Sequence, residues 1–217
     1  VFDMLKIGVG PSSSHTLGPW RAAQEWLDIL HKNHLFDNIT HIHVDLYGSL
    51  SLTGKGHATD LAVLLGLSGT DPEYIPIDHI EEIVSTIKET ATLKLDWKKE
   101  IPYSDNTVVF NRDFLPFHAN GMTFIAYQDD TIISKETYYS IGGGFVIQEG
   151  VTADKDNEFN KKNFPYPINR ATQLETYCEK ENKSISDIVF QNELELKSPE
   201  EIDTELHRIW DTMLECM

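Results

Sequence analysis

The sequence predicts an α+β fold, α/β-like in its N-terminal domain and followed by a helical segment. Helical and strand patterns alternate over residues 20 to 90, strand patterns alone occupy 100 to 147, and only helical signals follow the polar stretch after that. Chain length fits this division, since 217 residues and 24.7 kDa suffice for one compact domain with a smaller appendage.

The elements follow in order. "LGPWRAAQEWLDILHK" sets Trp20, Ala23, Leu27 and Leu30 at spacings of three, four and three, an amphipathic helix that starts just after His15. "THIHVDLYGSL" alternates Ile42, Val44 and Leu46 with His41, His43 and Asp45, the mark of a half-buried strand. The glycine-rich loop "TGKGHATD" feeds a short buried helix from about Thr59 to Leu67, stopped by Gly66 and Gly69. Pro72 and Pro76 lie in a loop, after which Ile80, Ile83, Val84 and Ile87 define a second amphipathic helix. Strands are then expected at "NTVVFN", "MTFIAYQ" and "TIISKETYYSI", the last two joined by a turn at Asp129 and Asp130, with "GGGFVI" closing the series. Residues 148 to 163 are charged and poor in core formers, which predicts a linker or mobile loop. In "SPEEIDTELHRIWDTMLECM", Ser198 is the N-cap, Pro199 the first helical residue and Glu201 the capping-box partner. Its stripe of Ile202, Leu206, Ile209, Trp210, Met213 and Met217 exceeds what so short a segment can bury, so another surface is expected to cover it.

Charge and composition exclude whole classes of function. Eighteen Lys and Arg against 35 Asp and Glu give a net charge of -17, which repels phosphate backbones and anionic bilayers, so neither nucleic acid nor membrane is an expected partner. No window reaches the roughly 18 apolar residues of a membrane span, and the first residues lack the pattern of a secretion signal; a soluble, cytoplasmic protein is expected. Cys178 and Cys216 are the two cysteines, too few and too far apart for a disulfide framework, a zinc site or an iron-sulfur cluster within this chain. Cys178 reads as an ordinary semi-buried helical thiol.

Four constellations could carry chemistry. In "GPSSSHT", Ser12, Ser13, Ser14 and Thr16 surround His15 at a helix start, where hydroxyls and unpaired N–H groups suit a carboxylate or phosphate; capping by one serine is the simpler alternative. In "TGKGHATD", glycines flank Lys55, and His57 is of the residue type matched to proton abstraction near neutral pH; the alternative is a plain strand-to-helix turn. A phosphate-binding loop fails here, because five residues separate Gly48 from Gly54 and Gly56 stands where Ser or Thr should follow the lysine. "LPFHANGM" places His118 and Asn120 two apart before a strand, pointing the same way if extended, although an Asn-Gly turn explains Asn120 equally well. Gly142, Gly143 and Gly144 form either an irregular strand edge or an anion cradle of backbone N–H groups. His41 and His43 share a strand face with no third ligand nearby and read as solvent-facing.

"KIGVGPSSSHTLGP", "DLYGSLSLTGKGHATD", "HANGM" and "YYSIGGGF", in this order and continued by "FPYPINRATQLETYC", "QNELEL" and "IWDTMLECM", closely resemble the N-terminal portion of the bacterial iron-sulfur-dependent L-serine dehydratases, or L-serine ammonia-lyases. The resemblance implies a beta domain over 1–147, similar to the allosteric substrate-binding domain of some phosphoglycerate dehydrogenases. A linker over 148–164 and the truncated start of an all-helical catalytic alpha domain over 165–217 would follow. It implies a 4Fe-4S cluster held by cysteines in the missing C-terminal half or a partner chain, with no metal ligand here. Partners would be L-serine, a cluster-bearing alpha domain or subunit, and further copies in a homo- or hetero-oligomer. His57 would be the base, with His15, His118 and Asn120 orienting substrate or water and Lys55 stabilising charge. Ser12 to Thr16, with the glycines 142 to 144, would hold the carboxylate. The isolated chain would be inactive without the cluster half. The competing expectation is a serine-binding regulatory or interaction domain, which has no use for a base near Cα.

Overall fold

The computed structural model describes residues 1–151 and 164–217. The chain forms two compact units, Ile7–Val151 and a smaller one of Val1–Lys6 with Thr152–Met217. Of the stretch expected as a linker, residues 152–163 lie outside the described residues. Gln148, the first residue of that stretch, ends a strand, and the Glu149 carboxylate in the turn after it accepts the Tyr139 hydroxyl at 2.6 Å.

In the larger unit, Ser13–Leu17 wind as one π-helical turn that runs directly into α1 (Gly18–Lys32). Helical backbone thus begins two residues before His15 instead of after it. Pro19 has no N–H to give to the His15 carbonyl, and the wider turn closes through Gly18 N–H to Ser13 O instead. β1 (His41–Leu46) buries Ile42, Val44 and Leu46 as the alternation predicts. Then come α2 (Ser49–Leu52), α3 (Thr59–Leu67) and α4 (Ile77–Thr90). A hairpin of β2 (Thr92–Leu95) and β3 (Lys99–Pro102) precedes β4 (Val108–Phe110), β5 (Gly121–Gln128), β6 (Thr131–Gly142) and β7 (Phe145–Gln148).

Five of these strands form a mixed sheet in the order β4-β1-β5-β6-β7, with β1 and β4 parallel and the other neighbours antiparallel. α1 packs on this sheet. Trp26 stacks on Phe124 with ring centroids 5.2 Å apart, and Phe124 meets Tyr138 edge-on at 5.7 Å. Trp20, also fully buried, donates its indole N–H to Thr70 O at 2.8 Å, which removes the cost of burying that group.

The pairing Leu46↔Met122, Leu46↔Phe110 and Gly121↔Tyr139 brings the end of β1, the end of β4, the start of β5 and the end of β6 to one edge of the sheet. All four sequence constellations emerge at that edge or at the start of α1, the carboxyl end of the parallel pair, where α/β sheets present their ligand sites.

In the smaller unit, α5 (Ala171–Glu181), α6 (Ile185–Glu193) and α7 (Pro199–Glu215) carry the expected helical pattern. The capping box of Ser198 and Glu201 forms as read from the sequence, and Ser184 with Asp187 makes a second one at α6. Along the α7 stripe Ile202 is buried, whereas Leu206, Trp210, Met213 and Met217 are exposed.

Candidate active site

The π-turn lifts the serine cluster into a network of side chains. Ser12 holds the N-cap position with extended backbone, yet its side chain makes no capping bond, so the simple capping explanation does not hold. Instead Ser12 Oγ lies 3.3 Å from Ser14 Oγ, and Ser14 Oγ lies 2.9 Å from His15 Nδ1. Ser13 is exposed. Thr16 is buried, and its hydroxyl donates to His57 O at 3.4 Å, so that group faces the protein and is not open to a ligand.

On the other side of His15, Nε2 stands 3.0 Å from Ser49 Oγ and 3.3 Å from Ser49 O. The ring of His57 is its neighbour, with centroids 4.9 Å apart and planes tilted by 37°. Burial pushes the His15 pKa down, the Ser49 carbonyl bond opposes that, and the charge of a protonated His57 would lower it further. His15 therefore favours its neutral form.

His57 closes a single 3-10 turn, Gly54–His57, and its Nδ1 lies 2.9 Å from Thr53 O. A carbonyl can only accept, so Nδ1 carries the hydrogen and the Nε2 lone pair is left available. His118 has the opposite polarity: its Nδ1 accepts the Asn120 N–H at 3.1 Å, which in the neutral ring leaves Nε2–H as a donor. The same bond curls residues 118 to 120 into a turn, so His118 and Asn120 do not project in parallel as an extended segment would. Asn120 is fixed in turn by Ser140, donating Nδ2–H to Ser140 O at 3.1 Å and accepting Ser140 N–H at 3.0 Å.

Gly48 makes the crossing of these segments feasible. It sits at φ 54 and ψ -124, a region closed to side chains, and a Cβ there would stand 2.3 Å from Ala119 O. The next amide, Ser49 N–H, donates to that carbonyl at 2.8 Å. Lys55 lies 5.6 Å from the Phe110 ring as a cation-π pair, with an exposed side chain. The three glycines resolve into a tight hairpin: Gly142 pairs with Phe145, and Gly143 and Gly144 form the two-residue turn at φ 61 and 76, as a primed turn requires. A Cβ on Gly144 would reach within 2.6 Å of Leu17 Cδ2, so this hairpin is packed against the start of α1.

The comparison that decides the family bears on this whole unit: the family described as "Serine dehydratase beta chain" matches residues 1–151. The chain belongs to that family. Among curated relatives, this chain resembles L-serine dehydratase 1 of Escherichia coli strain K12, 43% identical over 220 residues, covering 100% of this chain and 48% of that protein. L-serine dehydratase of Haemophilus influenzae is 40% identical, again over 100% of this chain and 48% of the relative. For the Streptomyces coelicolor L-serine dehydratase the identity is 39%, with the same shares of 100% and 48%. The chain thus spans about half the length of the curated relatives it matches.

The donor set of this chain does not suffice by itself for an iron-sulfur cluster. Two cysteines are present where a cluster takes about four thiolates, and among the described residues no group of three or more His, Cys, Asp or Glu is arranged to hold a metal ion. His41 stacks on Tyr127 at 4.4 Å, while His43 bonds to Asp45 and to Asn106 O, each at 3.0 Å, so both rings are engaged by the sheet. Among the described residues no helix is long and apolar enough to cross a membrane.

Three participants escaped the sequence reading: Ser49, Thr53 and Ser140. Ser49 stood in plain view in "DLYGSL", where a serine follows a glycine at the end of a strand, but its partners are 34 residues away in His15 and beyond the next strands in Ala119. Ser140 Oγ is fully buried and has no partner among the described residues.

Proposed function

We propose that this chain supplies the proton-handling half of an L-serine dehydratase, which converts L-serine to pyruvate and ammonia. The observation that carries the reading is the complementary set of histidine tautomers: Nε2 of His57 is left as a lone pair beside the neutral His15, while His118 presents an N–H. In this reading His57 Nε2 takes the Cα proton, and the Cα–H electron pair becomes the Cα–Cβ double bond as hydroxide departs from Cβ. The aminoacrylate then tautomerises to an imine, which water hydrolyses to pyruvate and ammonia. His118 Nε2–H and Asn120 orient substrate or water, and Lys55, two residues before His57, is the cation for developing negative charge.

Ser12, Ser13 and Ser14, at the open start of the π-turn, receive the substrate carboxylate through their hydroxyls and the N–H groups of the helix start. The 142–144 hairpin assists by holding that start in place, and Thr16 by tying it to His57. The iron-sulfur cluster of the resembling enzymes is assigned to residues outside this chain, in an alpha domain or subunit, and a cytoplasmic location goes with that cofactor.

The test is anaerobic pyruvate formation from L-serine by this chain mixed with a cluster-bearing alpha half, with iron and sulfide reconstituted. Activity in the mixture alone, reduced at least about 100-fold in His57→Gln, is the expected result. A His57→Gln mixture as active as the native one would overturn the assignment of the base. If no mixture makes pyruvate while the chain alone binds L-serine, a regulatory serine-binding domain becomes the better description.

A further inference from the structure

We propose that Ser49 is the positioning residue of this site, holding His15 in its Nε2–H form and joining the three histidine segments through its own backbone. The chemical purpose rests on the dehydratase reading, whereas the contacts rest on geometry alone. Ser49 meets each segment with a different group. Its hydroxyl and carbonyl face His15 Nε2 at 3.0 and 3.3 Å. Because a carbonyl cannot donate, the ring nitrogen facing it carries the hydrogen, and the opposite tautomer would set lone pair against lone pair. The same carbonyl accepts the Thr53 N–H at 3.1 Å and the Thr53 hydroxyl at 3.0 Å, and Thr53 O in turn takes the hydrogen of His57 Nδ1. Finally the Ser49 amide donates to Ala119 O, between His118 and Asn120.

This arrangement gives a direction to the bonds on the far side of His15. With Nε2 protonated, Nδ1 is left to accept the Ser14 hydroxyl hydrogen at 2.9 Å. His15 is thereby satisfied at both nitrogens while neutral, and the proton taken at this pair of rings falls to His57. Ser49 touches no reacting atom in this scheme; it acts through His15 and Thr53.

The test reads tautomers directly, in the 217-residue chain labelled with ¹⁵N-histidine, by long-range proton–nitrogen correlation near pH 7.5. The native chain is expected to show His15 protonated at Nε2 and bare at Nδ1. Ser49→Ala keeps the carbonyl that selects the tautomer and removes the one group able to donate to a bare Nε2, so its His15 should stay protonated at Nε2 with the Nε2 nitrogen shift moved by loss of the hydroxyl contact, and Ser49→Thr, which restores a hydroxyl, should return that shift to the native value. A native His15 protonated at Nδ1 overturns the proposal without recourse to any variant, as does a folded Ser49→Ala chain whose His15 signals match the native ones. The dehydratase reading fails on a different observation, no pyruvate from any mixture with an alpha half while the chain alone binds L-serine, and that outcome leaves the spectra of the native chain as they are.

Discussion

The rings of His15 and His57 stand 4.9 Å apart, close enough that a proton on one discourages a proton on the other. Burial is the larger influence on His15, and both effects act to lower its pKa.

A pH dependence of stability follows. With its folded pKa below the unfolded value of 6.5, His15 binds fewer protons when folded, so stability rises with pH across the interval just below 6.5 and is lost as pH falls through it. Urea unfolding of the native chain and of His15→Asn, compared at pH 7.5 and 5.5, should show the smaller loss in the variant. Equal losses would mean that His15 titrates normally.

Tyr139 behaves in the opposite sense. Burial first, then the bond to Glu149, pushes its pKa up to about 12, so the folded state retains a proton that the unfolded chain releases near 10. Its contribution is complete below about pH 10 and declines as pH rises toward 12. Tyr139→Phe should therefore lose less stability than the native chain between pH 9 and 11, as measured by thermal melts in matched buffers.

Gly48→Ala should be severe. The substitution forces a side chain into φ 54 and ψ -124 and places its Cβ against Ala119 O, at a cost of about 3 kcal/mol in urea unfolding. The crossing of the 47–49 and 119 segments would open first, so the spectra of His15 and His118 should change more than those of His31, which lies elsewhere beside Phe36.

Trp20→Phe removes an indole N–H while keeping most of the apolar bulk. Thr70 O retains the Gln24 Nε2–H bond at 2.9 Å, which limits the damage to about 1–3 kcal/mol. A loss within that range at unchanged denaturant slope would match a local effect, and a larger one would show that α1 shifts as well.

How far the sequence reveals this molecule depends on the range of the forces involved. The helices at Gly18–Lys32, Thr59–Leu67 and Ile77–Thr90 and the strand His41–Leu46 follow from periodicity, because burial of one face acts on residues a few positions apart. The β2–β3 hairpin stayed hidden because its turn uses Asp96 and Trp97 at φ 47 and 57 without the glycine or asparagine that normally signals such a turn. The four motifs pointed to the site, but the choice among three histidines could not be read from them. The proposed choice of His57 rests on which ring nitrogen faces a carbonyl, and that follows from the 3-10 turn that sets His57 Nδ1 against Thr53 O. Ser49 illustrates the same limit, since its carbonyl bonds to Thr53 are local but its contacts with His15 and Ala119 are made only by folding.

The five-residue turn at Ser13–Leu17 carries one residue more than a regular helix would need to close it. Length at this point is therefore as constrained as identity. Removing Ser13 would let the turn close as ordinary α-helix and rotate the residues before it by about 100° relative to α1. Ser12 would then lose its place beside Ser14. Among natural variants of this segment, single-residue deletions should be absent.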